Sequence, residues 1–158
     1  MSTKYSVVID RFLIKIEEDK DYFSYGGKLS DEDVTDLINK RSKNILIESI
    51  SELQRKKAIN QQVNFLDKDD ETEEFNFDLI DSEIDLIGEL MVVKYFDRGL
   101  AELRAKQKYL GKDITVFSPN AERKTYLEMV QYKHSLFESS LSDYNSIDRN
   151  SGEYLLAY

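Results

Sequence analysis

The sequence contains no cysteine, no tryptophan, one proline and only six glycines in 158 residues. Without cysteine there is no disulfide framework, no thiolate nucleophile and no Cys-ligated zinc. With so few breakers, a few long helices suit the chain better than many short strands. Long apolar runs are missing too, and none nears the roughly 20 residues that a bilayer-spanning helix needs. An N-terminal secretory pattern is lacking, because Asp10, Arg11 and Lys15 interrupt the first apolar stretch. These absences predict the cytoplasm, of a cell or of an infected host.

Positive charge is also in deficit. Thirty-one acids against 22 Lys and Arg give a net charge of −9, which disfavours general affinity for nucleic acid or anionic membranes. The basic cluster Arg55, Lys56 and Lys57 fits the C-terminus of a helix, whose dipole prefers cations there. No phosphate-cradling glycine loop, G-x-S-x-G or H-E-x-x-H occurs. The single histidine, His134, falls on an apolar helical seam and reads as a packed or interfacial residue. We therefore expect no enzyme, and assign no catalytic residue, cofactor or metal.

What the sequence has in quantity is helical periodicity. Tyr5, Val8, Ile9, Phe12, Leu13 and Ile16 step by three and four, placing all six on one helical face, with Ser2 or Thr3 as the cap. Asp19 to Gly27 reads as a loop. Ser30 followed by Asp31, Glu32 and Asp33 marks a capped, dipole-matched helix start. That helix is expected to run to about Ala58 with Val34, Leu37, Ile38, Ile45, Leu46, Ile50 and Leu53 inward. A third helix, capped by Ser82, is apolar around much of its circumference from Ile84 to Val93, which predicts the central position, with a break at Gly99. Ile114, Val116 and Phe117 form an extended connector before Ser118-Pro119, a strong helix start. In the fourth helix Leu127, Val130, His134, Phe137, Leu141 and Tyr144 form a continuous seam.

Two segments depart from this pattern. Phe75, Phe77 and Leu79 alternate as in a strand with one buried face. They follow a run with six acids and one lysine, Asp67, Asp69, Asp70, Glu71, Glu73 and Glu74 with Lys68, which predicts a hairpin or projecting loop over 62–80. That run lacks the residue order of a calcium loop. At the other end Tyr154, Leu155, Leu156 and Tyr158 make an apolar, aromatic terminus that is costly to leave in water, and tyrosine is a favoured interface anchor. The expected architecture is mainly α: a four-helix bundle-like domain over 1–144, with a β-hairpin or extended acidic loop between helices 2 and 3. Residues 145–158 form an extended C-terminal docking tail.

The order of these features resembles the small head–tail connector (adaptor, neck or head completion) proteins of tailed bacteriophages. The resemblance rests on Arg11-Phe12-Leu13-Ile14-Lys15-Ile16 in the first helix and Leu86-Ile87-Gly88-Glu89-Leu90-Met91 in the apolar one. It rests most on the connector Lys112-Asp113-Ile114-Thr115-Val116-Phe117-Ser118-Pro119-Asn120-Ala121. About two-thirds of the chain is covered, and such proteins often carry Trp where this one has Tyr95-Phe96. The resemblance implies a virion structural protein of the neck region, made in the host cytoplasm. Copies of it would form a ring, usually of twelve, between the portal protein and the tail or further neck proteins. Such a ring extends the DNA channel without sequence-specific binding, and its C-terminal segment, here Tyr154 to Tyr158, reaches the portal. The competing expectation is a small non-enzymatic adaptor or regulatory protein that binds one protein partner through its amphipathic helices.

Overall fold

The computed structural model describes residues 2–16, 30–59, 61–109 and 119–155. The sequence-predicted loop over 19–27, the connector up to Ser118 and the residues Leu156 and Tyr158 lie outside them. Four helices and one small hairpin make up the fold: α1 (Tyr5–Lys15), α2 (Asp31–Lys56), β1 (Lys68–Asp69), β2 (Glu74–Phe75), α3 (Asp81–Tyr109) and α4 (Pro119–Asn145). The architecture is mainly α, with the antiparallel β1–β2 pair between α2 and α3 and Lys68 opposite Phe75.

Local chemistry sets most of the helix ends. The Ser30 hydroxyl accepts from the Asp33 amide, and the Asp33 carboxylate accepts in return from the Ser30 amide, closing a capping box. Helix α3 starts one residue earlier than Ser82: its first turn is closed by the buried Glu83, whose Oε2 accepts from the Ile80 amide at 3.0 Å. Helix α1 has no side-chain cap. Its first amide, that of Tyr5, donates instead to the carbonyl of Glu73 in the hairpin, at 2.8 Å. Thr3 is committed elsewhere, accepting from the Leu79 amide through Oγ1.

Helix α3 is the hub and packs against each of the other three helices. Its Leu86, Ile87, Leu90, Met91 and Tyr95 are buried together with Phe12 of α1, Ile45, Ile50 and Leu53 of α2, and Phe137 of α4. Each such aliphatic or aromatic side chain contributes about 1.5–3 kcal/mol when fully buried. Val34, Leu37 and Ile38, at the start of the α2 stripe, are only half-buried. Edge-to-face ring pairs, Phe12 on Tyr95 and Tyr5 on Phe75, fasten α1 to α3 and to the hairpin.

Gly99 does not break α3. The helix continues through it, and a Cβ placed there would lie 2.1 Å from the Tyr126 hydroxyl. That hydroxyl donates to the Phe96 carbonyl, so the glycine seats a tyrosine from α4 against the α3 backbone.

The acidic hairpin is folded against the bundle. Tyr5 Oη donates to Asp70 at 2.7 Å, Lys68 reaches both oxygens of Asp70, and Lys43 of α2 reaches Glu73 at 2.6 Å. Asp69 accepts from the amides of Glu71 and Thr72, while Asp67 accepts from Asn76. The chain start completes this edge, with Thr3 and Lys4 paired to residues 74–77. Glu71 is exposed.

Candidate interaction site

After α4 the chain folds back on itself. Leu155 donates its amide to the Ser146 carbonyl at 2.7 Å and Asp148 donates to that of Glu153, bringing Ile147 opposite Tyr154. The turn is held by Asp148, whose Oδ1 accepts from the amides of Asn150 and Ser151. These bonds hold the Asp148 carboxyl below the usual carboxylate range. Gly152 takes φ +70°, a conformation that side-chain-bearing residues rarely adopt.

This terminal hairpin is tied to the bundle through one buried charge. Glu83 has no exposed surface. Its Oε1 accepts from Arg149 Nε at 2.6 Å and from the Tyr144 hydroxyl at 2.8 Å, while its Oε2 accepts from Arg149 Nη2 at 3.1 Å. The other bonds of the same cluster reach backbone groups at or near helix ends. Arg149 donates to the Asp78 carbonyl, and Gln61, itself buried, donates through Nε2 to the carbonyls of Tyr144 and Ile147. Asn145 accepts from the Ala58 amide at 2.8 Å. The Arg149 guanidinium also lies over the Phe77 ring, 5.8 Å from its centroid. Burial and the Glu83 carboxylate push the Tyr144 phenol upward, and Glu83 holds Arg149 firmly protonated.

The clamp fixes the backbone and leaves the aromatic ring out. Tyr154 is 75% exposed and Leu155 38%, so the two described members of the sequence-predicted docking set sit side by side on a held strand. Tyr154 and the acidic hairpin residues belong to different elements, and no bond links them. Periodicity missed Glu83, Tyr144, Arg149 and Gln61 as a group. One signal was available: Arg149 is the only Lys or Arg after Lys133.

Next to the hairpin a groove runs along α3 and α4. Its main pocket, about 380 Å³, has Leu86 and Glu89 of α3 as floor, Ser140, Asp143 and Tyr144 of α4 as one wall, and Ile147 at its end. A second, smaller pocket of about 180 Å³ lies among Lys15, Glu89, Val92, Lys133 and Leu136, sharing Glu89 with the first.

The remaining sequence candidates are accounted for by local bonds. His134 is not packed in the core: it is half-exposed, with Nε2 2.9 Å from Asp97. Lys56 bonds Glu138 at 2.6 Å and Lys57 bonds the Gln61 carbonyl, which engages two of the three charges in the basic cluster. Among the described residues no three His, Asp or Glu are grouped to hold a metal ion, and no helix is long and apolar enough to cross a membrane. No family model matches the chain, no curated protein matches it, and no solved structure matches it.

Proposed function

We propose that this chain works by binding, as a structural subunit of the head–tail connector class: copies of it form a ring that joins a portal to a tail and lines the DNA path. The observation that carries this reading is the terminal hairpin. An exposed tyrosine and leucine are presented at the chain end on a strand whose backbone is already bonded and whose base is anchored by a buried ion pair. Such preorganisation lowers the entropic cost of docking, and tyrosine on a rigid support is a typical hot-spot residue. The resemblance carried by the 112–121 connector supplies the identity of the partner surface, the portal. Net charge −9 suits a ring through which DNA slides without sticking.

Co-sedimentation with the portal protein encoded in the same genome tests this. The wild-type chain should join portal particles in ring stoichiometry. Tyr154→Ala, an exposed change expected to alter stability by less than about 0.5 kcal/mol, should weaken that association at least tenfold. A chain that stays monomeric with and without portal sinks the reading. The second reading, an adaptor for one protein partner, is favoured by the groove over α3 and would show as a one-to-one complex.

A further inference from the structure

We propose that the groove along α3 and α4, ended by the hairpin that follows α4, binds a short amphipathic helix of a partner protein, with that helix's basic residues facing Glu89 and Asp143. This inference goes beyond the connector reading, which makes no use of the groove, and holds or fails independently of it.

Shape is the first argument. The two pockets together follow α3 from Ser82 to Val92, about 15 Å and enough for roughly three turns of a guest helix. Leu86 and Val92 with Leu136, Tyr144 and Ile147 give it an apolar lining, and Leu136 is 42% exposed. An apolar cleft along two packed helices is what the apolar face of another helix fills.

Charge chooses the sign of the guest. Asp85 is already met by Arg11 at 2.6 Å, and Arg149 is spent on Glu83. Glu89 is not satisfied: its Oε2 is buried without a hydrogen-bond partner, and its Oε1 has only Lys15 at 3.8 Å. Asp143 is exposed, with no side-chain bond among the described residues. The Glu89 side chain as a whole is 29% exposed, so a lysine or arginine on the guest can pair with the carboxylate through the Oε1 that Lys15 approaches only to 3.8 Å. Lys15 and Lys133 line the smaller pocket, but along the larger one an acidic helix meets Glu89 and Asp143, with Arg149 already engaged.

Fluorescence anisotropy with the full chain and two labelled synthetic 14-residue helices tests the idea. The peptides share one leucine face and differ in flanking residues, Lys in one and Glu in the other. The Lys helix should bind at least tenfold more tightly. Ser140→Trp, which fills the groove, and Leu136→Asp should each weaken that binding at least tenfold, with folding checked by thermal unfolding. Glu89→Gln with Asp143→Asn should cut the Lys-over-Glu preference below threefold. Glu32→Gln with Asp36→Asn, exposed on α2, changes net charge equally and should leave binding in place. Four outcomes overturn the proposal: no binding, equal binding of both helices, loss with the α2 control equal to that in the groove, or no response to the groove variants. A self-dimer that Ser140→Trp dissociates overturns it too, since a second copy is then the occupant.

Discussion

Arg149 Nε lies 2.6 Å from Oε1 of Glu83, a carboxylate without exposed surface 66 residues earlier in the chain. The pair ties the first turn of α3 to the hairpin that follows α4, at the site where Tyr144 and Gln61 also converge. Because Glu83 additionally accepts from the Ile80 amide, one side chain both caps a helix and anchors the hairpin that follows α4.

Removing one partner of a buried ion pair is far worse than removing both. Arg149→Met is expected to cost about 3–5 kcal/mol, because it leaves Glu83 charged and buried with only neutral donors. Chemical denaturation measures this. Adding Glu83→Gln, which keeps an acceptor for Tyr144, should recover much of the loss. In hydrogen exchange the amides of Gly152 and Leu155 should lose protection in Arg149→Met, since their acceptors, the Asp148 and Ser146 carbonyls, belong to the hairpin that Arg149 anchors.

How much of this was legible in the sequence divides along the range of the interactions. The stripe from Tyr5 to Ile16, the Ser30–Asp33 box and the central place of α3 all follow from signals spanning one to three turns. Val130, Phe137, Leu141 and Tyr144 are buried as their spacing predicts. Pairings across 60 or more residues leave no periodic trace, so Glu83 with Arg149 and Tyr5 with Asp70 could not be read. The acidic run was readable as a hairpin or a projecting loop, and the hairpin is what forms, but its bonds to Tyr5 and Lys43, far away in sequence, could not be read. Glu83 hid in another way: an acid in a first helical turn already has a sufficient local explanation, the dipole. Tyr154 and Leu155 stood out because apolar residues after a polar stretch need no partner to be noticed.

Ser42 is fully buried in α2, and its hydroxyl has no partner among the described residues. A desolvated hydroxyl without a bond is unfavourable, and alanine is also the better helix former. Ser42→Ala should therefore raise stability by about 1 kcal/mol, read as a higher denaturation midpoint at unchanged slope. Ser49, equally buried, bonds the Ile45 carbonyl at 2.8 Å. Ser49→Ala should lack this gain and serves as the matched control.

Among the described residues Glu52, Asp69, Asp70 and Asp148 are carboxyls held below their usual values, and two of them illustrate the response to acid. At Glu52 partial burial works against ionisation, yet bonds and attraction from Lys94 at 2.6 Å, and from Lys56, outweigh it and hold the carboxyl below its usual value. Asp70 is held low by its bonds from Lys68 and Tyr5. A carboxyl whose folded pKa is depressed contributes stability above its unfolded value, about 3.9 for Asp and 4.3 for Glu. That contribution is lost as pH falls through the folded value, because the unfolded chain takes up the proton first. The melting temperature should hold from pH 8 to about 5 and drop below about 4. Glu52→Gln should melt lower than wild type at pH 7, and the gap should close as pH falls through the depressed folded value. Tyr5 and Tyr144 act with the opposite sign. Their raised phenol values, due mainly to burial, predict a second loss of stability above about pH 10, where the unfolded chain ionises first.

The seat of Tyr126 on Gly99 can be tested by reversing it. Alanine in mid-helix normally gains up to about 1 kcal/mol over glycine, so a helix-propensity argument alone predicts that Gly99→Ala stabilises α3. The close approach predicts the reverse: the new methyl takes the place of the Tyr126 hydroxyl, 2.1 Å away, and its bond to the Phe96 carbonyl is lost. The single change should cost about 1–2 kcal/mol. Tyr126→Phe removes the atom that clashes and leaves a ring whose edge, 3.1 Å from the new Cβ, can give by a few tenths of an ångström. In that background Gly99→Ala should be neutral or stabilising, a coupling of about 1 kcal/mol or more in a double-mutant cycle. If the two changes instead add, the glycine is not there for the tyrosine, and the spacing of α3 and α4 near Phe96 is set by the rings of Phe96 and Tyr126 alone, whose centroids lie 6.1 Å apart.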